Sequence, residues 1–414
     1  MREDWIENEL GKICNIEMGQ SPPSSTYNEI GEGMPFFQGK AEFTELYPVV
    51  KKWCTVPKKT AKVNDILISV RAPVGSTNKA NIDCAIGRGL AAITYPFGNN
   101  YLWFYLKFIE RTLDDQGTGT TFKAISGNIL KSQKIPLAPL PEQRAIVSRI
   151  EQLFSELNNG IANLKSAKEK LEIYKQAVLK KAFEGEFNNA IISWGTIGEF
   201  CENVEYGTSS KSIHEGLVPV LRMGNIQNGK IDWRDLKYTS ETGEIEKYRL
   251  RKDDVLFNRT NSPEHVGKTA IYKGERDAIF AGYLIRINYL KDQVNGDYLN
   301  YFLNCHVAKK YGDEVKSFGV NQSNINGTKL RNYPFPKTSL KEQHEIVFEI
   351  ETRLSVCDQL AASINESLEK SEALRQSILK KAFSGELLTE KELEACKQEA
   401  DWEPAEKLLE RIDK

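Results

Sequence analysis

Little in this chain of 414 residues could hold a metal or a nucleotide. Its four histidines, His214, His265, His306 and His344, are scattered. Its seven cysteines, Cys14, Cys54, Cys84, Cys201, Cys305, Cys357 and Cys396, are odd in number and never form CxxC. That spacing argues against a zinc ribbon or a disulfide scaffold and fits free thiols in a reducing compartment, so a cytoplasmic location is expected. Cys305-His306 has no second pair to complete a metal site, and core packing is the better reading of it. No P-loop of the form GxxxxGKS/T occurs, and no GxGxxG, GxSxG or HExxH. Pro-Asp, the usual opening of a nuclease carboxylate motif, is absent. No catalytic residue, metal or cofactor is therefore expected. No run of about 18 apolar residues exists to span a membrane, and MREDWIENEL at the start is too acidic for a secretion signal.

Charge is also in short supply as net excess: 56 Lys and Arg stand against 57 Asp and Glu. The distribution is mildly uneven, with the two blocks together leaning basic and the helical parts and tail, taken together, leaning acidic.

What the chain has is a repeat. Residues 141–187 begin PEQRAIV and end KKAFEGEF; residues 341–387 begin KEQHEIV and end KKAFSGEL, ungapped at an offset of 200 residues. A long repeat at a fixed offset sets architecture. Apolar residues recur at Ile146, Ile150, Leu153, Leu157, Ile161 and Leu164, and again at Ile346, Ile350, Leu354, Cys357 and Ile364, a heptad-like stripe. Pro141 suits the first helical position, Ser339 with Glu342 forms a capping box, and Gly185 and Gly385 suit the ends. Each helix would be a rod of about 65 Å at ~1.5 Å per residue. Pairing the two antiparallel buries both stripes; the alternative is that each packs only on its own block.

The blocks between repeat as well, with more divergence. In residues 1–140, Val63 to Val70 and Gly89 to Tyr95 read as strands, Asn100 to Glu110 as a helix, and Gly117 to Thr121 as a loop. In residues 188–337, the stretch Asp253 to Arg259 matches Asn64 to Arg71, placing Arg259 opposite Arg71. Residues 388–414 read as an acidic tail with a short amphipathic helix. The expected class is α+β: two mixed α/β blocks, 1–140 and 188–337, separated by long helical regions at 141–187 and 338–387. Asn261-Ser262-Pro263-Glu264 lacks the second proline and the aromatic of an adenine-methyltransferase motif, so it reads as a surface turn.

PLPEQRAIV at 139–147, KEQHEIV at 341–347, the doubled KKAFxGE, DILISVRAPVG at 65–75 and EPAEKLLERI at 403–412 together resemble the specificity subunits of type I restriction–modification systems. The resemblance covers essentially the whole chain. It implies two target recognition domains, two helical spacers in an antiparallel coiled coil with a pseudo-twofold, and no catalysis by the chain itself. It implies as partners double-stranded DNA with a bipartite, asymmetric target, two modification subunits, and motor/nuclease subunits. The spacers would then act as a ruler between half-sites.

Base and phosphate contacts must come from polar loop residues. The candidates in the first block are Gln20, Ser21, Lys40, Arg71, Thr120, Thr121 and Lys123. Those in the second are Ser209, Ser210, Lys211, Arg222, Asn225, Arg259, Thr260, Asn321 and Gln322. Candidates for subunit docking are Glu142, Gln143, Lys180, Lys181, Glu342, Gln343, Lys380 and Lys381, although the lysine pairs also suit a helix C-terminus. Two other readings stay open: a coiled-coil adaptor that binds proteins only, and an enzyme in its own right.

Overall fold

A computed structural model describes residues 2–119, 123–187, 193–319 and 322–412. The chain forms two compact units. One is Met1–Asn163 with Glu366–Lys414, the other Leu164–Asn365. Each long helix is shared between them: the first runs Leu140–Phe183 and the second Leu340–Ser384. Among the described residues, no helix is long and apolar enough to cross a membrane.

In the first unit the central sheet is antiparallel, in the order Asn15–Met18, Leu90–Thr94, Ile66–Ser69, Thr77–Lys79. Ile66–Ser69 is buried on both faces, and its side chains alternate between two cores as strand periodicity requires. Ile66 and Ile68 join the core that holds the helix Asn99–Phe108. Leu67 joins the one that holds Phe37 and Ile86. Those two residues belong to a second sheet in which Met34–Phe37 runs parallel to Cys84–Ile86. A ribbon of Ile6–Glu9 with Lys134–Leu137 closes the block.

The second unit repeats the plan. Its central sheet is Cys201–Tyr206, Leu284–Tyr289, Val255–Asn258, Thr269–Ile271. Val255 and Phe257 face one core, Leu256 the other. Val218–Leu221 runs parallel to Ile279–Phe280, and Ser193–Thr196 pairs with Pro334–Lys337.

The helices pair antiparallel within each unit. In the first, Ile146, Ile150 and Leu153 share a core with Ile378, Leu379 and Phe383, and the Arg375 guanidinium donates to Asn158 Oδ1 at 2.6 Å. In the second, Val178, Leu179 and Phe183 share a core with Ile346, Val347 and Ile350, while Lys175 pairs with Asp358 at 3.0 Å. Numbers fall along one helix as they rise along the other. The helices also pack on the blocks, so the two expected arrangements coexist. Gly185 and Gly385 end the helices at φ of 83° and 82°, a left-handed conformation that suits glycine. Ser339 and Glu342 form the expected capping box, with Ser339 N donating to Glu342 Oε2 at 2.8 Å. Those bonds hold the Glu342 carboxyl below its ordinary value.

The tail holds two helices, Glu390–Lys397 and Ala405–Ile412, rather than one. The first carries a Thr389–Glu392 capping box. Leu388, Leu393 and Leu408 enter the first unit's core. Arg144 grips Asp401 with two hydrogen bonds of 2.8 and 2.9 Å. This clip is about half exposed, so Arg144→Ala is expected to cost under about 1 kcal/mol of stability. Its effect should appear instead as faster proteolytic cleavage between the tail helices; unchanged cleavage would show that the apolar contacts alone hold the tail.

Candidate nucleic-acid interface

Short backbone hydrogen bonds lace four loops of the first unit into one rim. Gln20 N donates to Ile86 O at 3.1 Å, Gly89 N to Gln38 O at 3.2 Å, Val70 N to Gly89 O at 2.9 Å, and Ala72 N to Lys123 O at 2.8 Å. Arg88 N donates to Ser21 Oγ at 3.2 Å. The rim thus gathers Gln20, Ser21, Lys40, Arg71 and Lys123, which are far apart in sequence. Gln20, Lys40 and Arg71 are exposed and Ser21 is half-buried. Lys123 is exposed too, but its ammonium pairs with Asp114 at 2.9 Å, which raises its pKa. Two exposed residues that sequence reasoning missed, Gln38 and Arg88, join the same rim. The signal for Arg88 was its glycine flanks, Gly87-Arg88-Gly89, which let loop backbones approach closely.

The second unit is laced the same way. Thr208 N donates to Phe280 O at 2.9 Å, Ala281 N to Leu221 O at 2.9 Å, Arg259 N to Tyr283 O at 3.0 Å, and Ile325 N to Arg259 O at 2.9 Å. The matching bonds in the first unit are Gln20 to Ile86, Gly87 to Phe37, Val70 to Gly89 and Ile125 to Val70. Gly19 and Gly207 occupy the same point of close approach. A Cβ would sit 2.1 Å from Gly87 O in one and 2.2 Å from Phe280 O in the other.

This lacing corrects the expected pairing of Arg71 with Arg259. Arg259 occupies the position of Val70, and Thr260 that of Arg71: Arg71 bridges to Ala124, Thr260 to Asn324. The register is set upstream by Asp65 and Asp254. They accept from Lys62 N at 2.7 Å and Arg251 N at 2.9 Å in the same turn. The first block has one residue more between its aspartate and its arginine than the second has.

Arg259 is half-buried, with its Nη1 donating to Gly282 O at 3.1 Å. Thr260 Oγ1 accepts from Asn324 Nδ2 at 2.8 Å. Ser209, Ser210, Lys211 and Gln322 are exposed, and so are Tyr283 and Phe318, aromatics of this rim that the sequence reading passed over. Arg222 leans on Asp235 at 3.3 Å. Asn225, expected on the surface, is buried: its amide donates to the carbonyls of Asp232 and Asp235, each at 2.9 Å. It holds a turn and has no donor left for a base. Thr120, Thr121 and Asn321 lie outside the described residues.

The docking candidates divide sharply. Glu142 is buried and accepts from Trp5 Nε1 at 2.9 Å. Gln143 and Gln343 are buried staples. Gln143 Nε2 donates to Ala138 O at 2.8 Å and lies 3.1 Å from Tyr95 Oη. Gln343 Nε2 donates to Thr338 O at 3.0 Å, and its Oε1 accepts from Asn295 N at 2.8 Å. Glu342 is the capping residue described above. Glu142, Gln143 and Gln343 are turned into their own blocks, because a buried polar group must find its partners inside, whereas Glu342 is half-buried and stays a docking candidate. Lys180, Lys181, Lys380 and Lys381 are exposed; Lys181 pairs with Glu186 at 2.8 Å. Cys305 is buried at the start of the helix His306–Val315, and burial raises its thiol pKa. No cluster that could hold a metal ion occurs among the described residues.

A family model described as the type I restriction modification DNA specificity domain matches residues 2–165 and again 193–370. A putative type I restriction enzyme MjaX specificity subunit of Methanocaldococcus jannaschii is 43% identical over 189 residues, 44% of this chain and 44% of the relative. The match thus spans under half that relative's length. The type I restriction enzyme StySPI specificity subunit of Salmonella potsdam is 26% identical over 373 residues, 84% of this chain and 80% of the relative. The crystal structure of the HsdS subunit from Thermoanaerobacter tengcongensis is 47% identical over 38% of this chain and 39% of that one, with a TM-score of 0.34.

Proposed function

Because this chain belongs to the type I restriction modification DNA specificity family, we propose that its two units read the two halves of one bipartite, asymmetric DNA target. The observation that carries this reading is the pair of rims. Their backbones are laced by matching hydrogen bonds, yet their outward side chains differ. A common frame with different furniture suits two sites of the same shape and unlike sequence. Arg71 and Arg88 on one rim, and Arg259 on the other, are of the type that reads guanine bidentately in the major groove. The chain supplies recognition and no chemistry. Methyl transfer comes from two modification subunits and cleavage from motor/nuclease subunits, which dock on the paired helices; the exposed lysine pairs at 180–181 and 380–381 are candidate contacts there.

The test uses the chain assembled with its modification subunits and a library of random-sequence duplexes, selected at fixed salt and sequenced. Two unlike motifs at fixed separation are expected. Arg259→Ala should weaken specific binding by about 1–3 kcal/mol with the fold intact. If no sequence is enriched, the chain is an adaptor for proteins only.

A further inference from the structure

Among the differences between the matched rims, one bears on Arg259. In the first unit Val70 and Met18 stand where the second has Arg259 and Tyr206. The matches follow from Gly19 with Gly207 and Val70 with Arg259 in the lacing above. An apolar pair is thus replaced by a cation and an aromatic ring. The Arg259 guanidinium carbon lies 4.8 Å from the Tyr206 ring centroid, within the range where a cation is attracted to a ring face. Its Nη1 is spent on Gly282 O, and among the described residues its buried Nε has no hydrogen-bond partner.

Tyr206 is itself held at its far end. Its hydroxyl accepts from Gly327 N at 2.8 Å, at the start of the helix Gly327–Arg331. A Cβ on Gly327 would lie 3.0 Å from that hydroxyl, so the glycine leaves room for it. Tyr206 is tied in this way although it is 41% exposed. Packing alone does not need the aromatic, since methionine fills the matched place in the other unit.

We propose that Tyr206 is a positioning residue for Arg259: it holds the guanidinium plane in one orientation, so that the second unit discriminates a base pair at the position Arg259 faces. Arginine's planar fork gives specificity only when its orientation is fixed, and a ring face beneath it fixes that plane. The first unit, without such a pair, reads its half-site with the freely exposed Arg71 and Arg88. This inference rests on the DNA-reading function proposed above.

The experiment selects random-sequence duplexes on the assembled complex carrying wild-type chain, Tyr206→Leu, Tyr206→Met, Tyr206→Phe or Arg259→Ala. Tyr206→Leu and Tyr206→Met should lower discrimination at one position of one half-site by about tenfold, the range of a lost bidentate contact, and leave the other half-site unchanged. Tyr206→Phe keeps the ring and should retain the preference, although it loses the bond to Gly327. The unchanged half-site reports that the complex is folded, and Tyr206→Met supplies a residue this fold already accommodates. If Arg259→Ala relaxes that position while Leu and Met at 206 do not, Tyr206 has no positioning role and only this inference fails. If Tyr206→Phe relaxes it as much as Leu, the bond to Gly327 is responsible and the ring-face account is overturned. No enriched sequence with the wild-type chain would instead defeat the DNA-reading function itself.

Discussion

Replacing Arg286 by leucine is expected to cost the second unit about 3–5 kcal/mol, the usual penalty for removing one member of a buried ion network. Arg286 lies in the central strand Leu284–Tyr289, with its side chain only 11% exposed. Its Nη1 donates to Asp254 Oδ2 at 3.0 Å and to Arg249 O at 2.9 Å, and its Nε to Glu205 Oε2 at 3.2 Å. Burial by itself would lower the pKa of Arg286; the bonds to Glu205 and the charge of Asp254 reverse this and raise it. Leucine would leave Asp254 buried without its cation. Lysine should rescue only in part, because one ammonium lacks the separate Nε and Nη1 donors with which the guanidinium reaches Glu205, Asp254 and Arg249 O together. Hydrogen exchange should show lost protection in Cys201–Tyr206, Val255–Asn258 and Leu284–Tyr289 while Ile66–Ser69 keeps its own. A loss below about 1 kcal/mol would mean that the network breaks even against its desolvation. The first unit shows that the fold can be built without it: Ala92 pairs with Glu17 there, as Arg286 pairs with Glu205, and Asp65 is instead satisfied by Thr94 at 2.6 Å.

How much of this was legible depended on how local the cause is. The long helices were readable because their stripe, caps and terminal glycines all lie within the element. The strands Ile66–Ser69 and Leu90–Thr94 were readable for the same reason. Gln143 and Gln343 were misread as docking residues because a polar pair at a helix start gives no sign that the turn is sunk in its own block. Their partners, Tyr95 and Asn295, lie 48 residues away in each case. The pairing of Arg71 with Arg259 failed because two arginines are a stronger visual match than the aspartates that set the register. The tail's place was beyond reach, since Arg144 and Asp401 are separated by 257 residues. At the candidate interface, sequence gave no sign of which polar side chains are engaged within the protein: Asn225 by the carbonyls of Asp232 and Asp235, Lys123 by Asp114.

The doubled KKAF motif yields the second large expected effect. Phe183 and Phe383 close the two long helices, and each is pinned into the core of the unit its helix ends in, not the one it starts from. Phe383 sits 5.3 Å from Tyr101, 5.1 Å from Tyr105 and 5.8 Å from Phe108 in the first unit. Phe183 sits 5.2 Å from Tyr298 and 5.3 Å from Phe302 in the second. Each ring adds aromatic contacts to its buried area, and truncation leaves a cavity that rigid aromatic neighbours cannot fill. Phe383→Ala and Phe183→Ala should therefore each cost about 3–5 kcal/mol. The location of the loss is the sharper result. Phe383 is remote in sequence from the first block, yet Phe383→Ala should expose the amides of Leu90–Thr94 there, as read by hydrogen exchange. Phe183→Ala should expose those of Leu284–Tyr289. Loss of protection in the block that precedes each helix would mean that the helix ends are anchored by their own blocks instead, and the exchange of helix ends between units would not be what the repeated phenylalanine maintains.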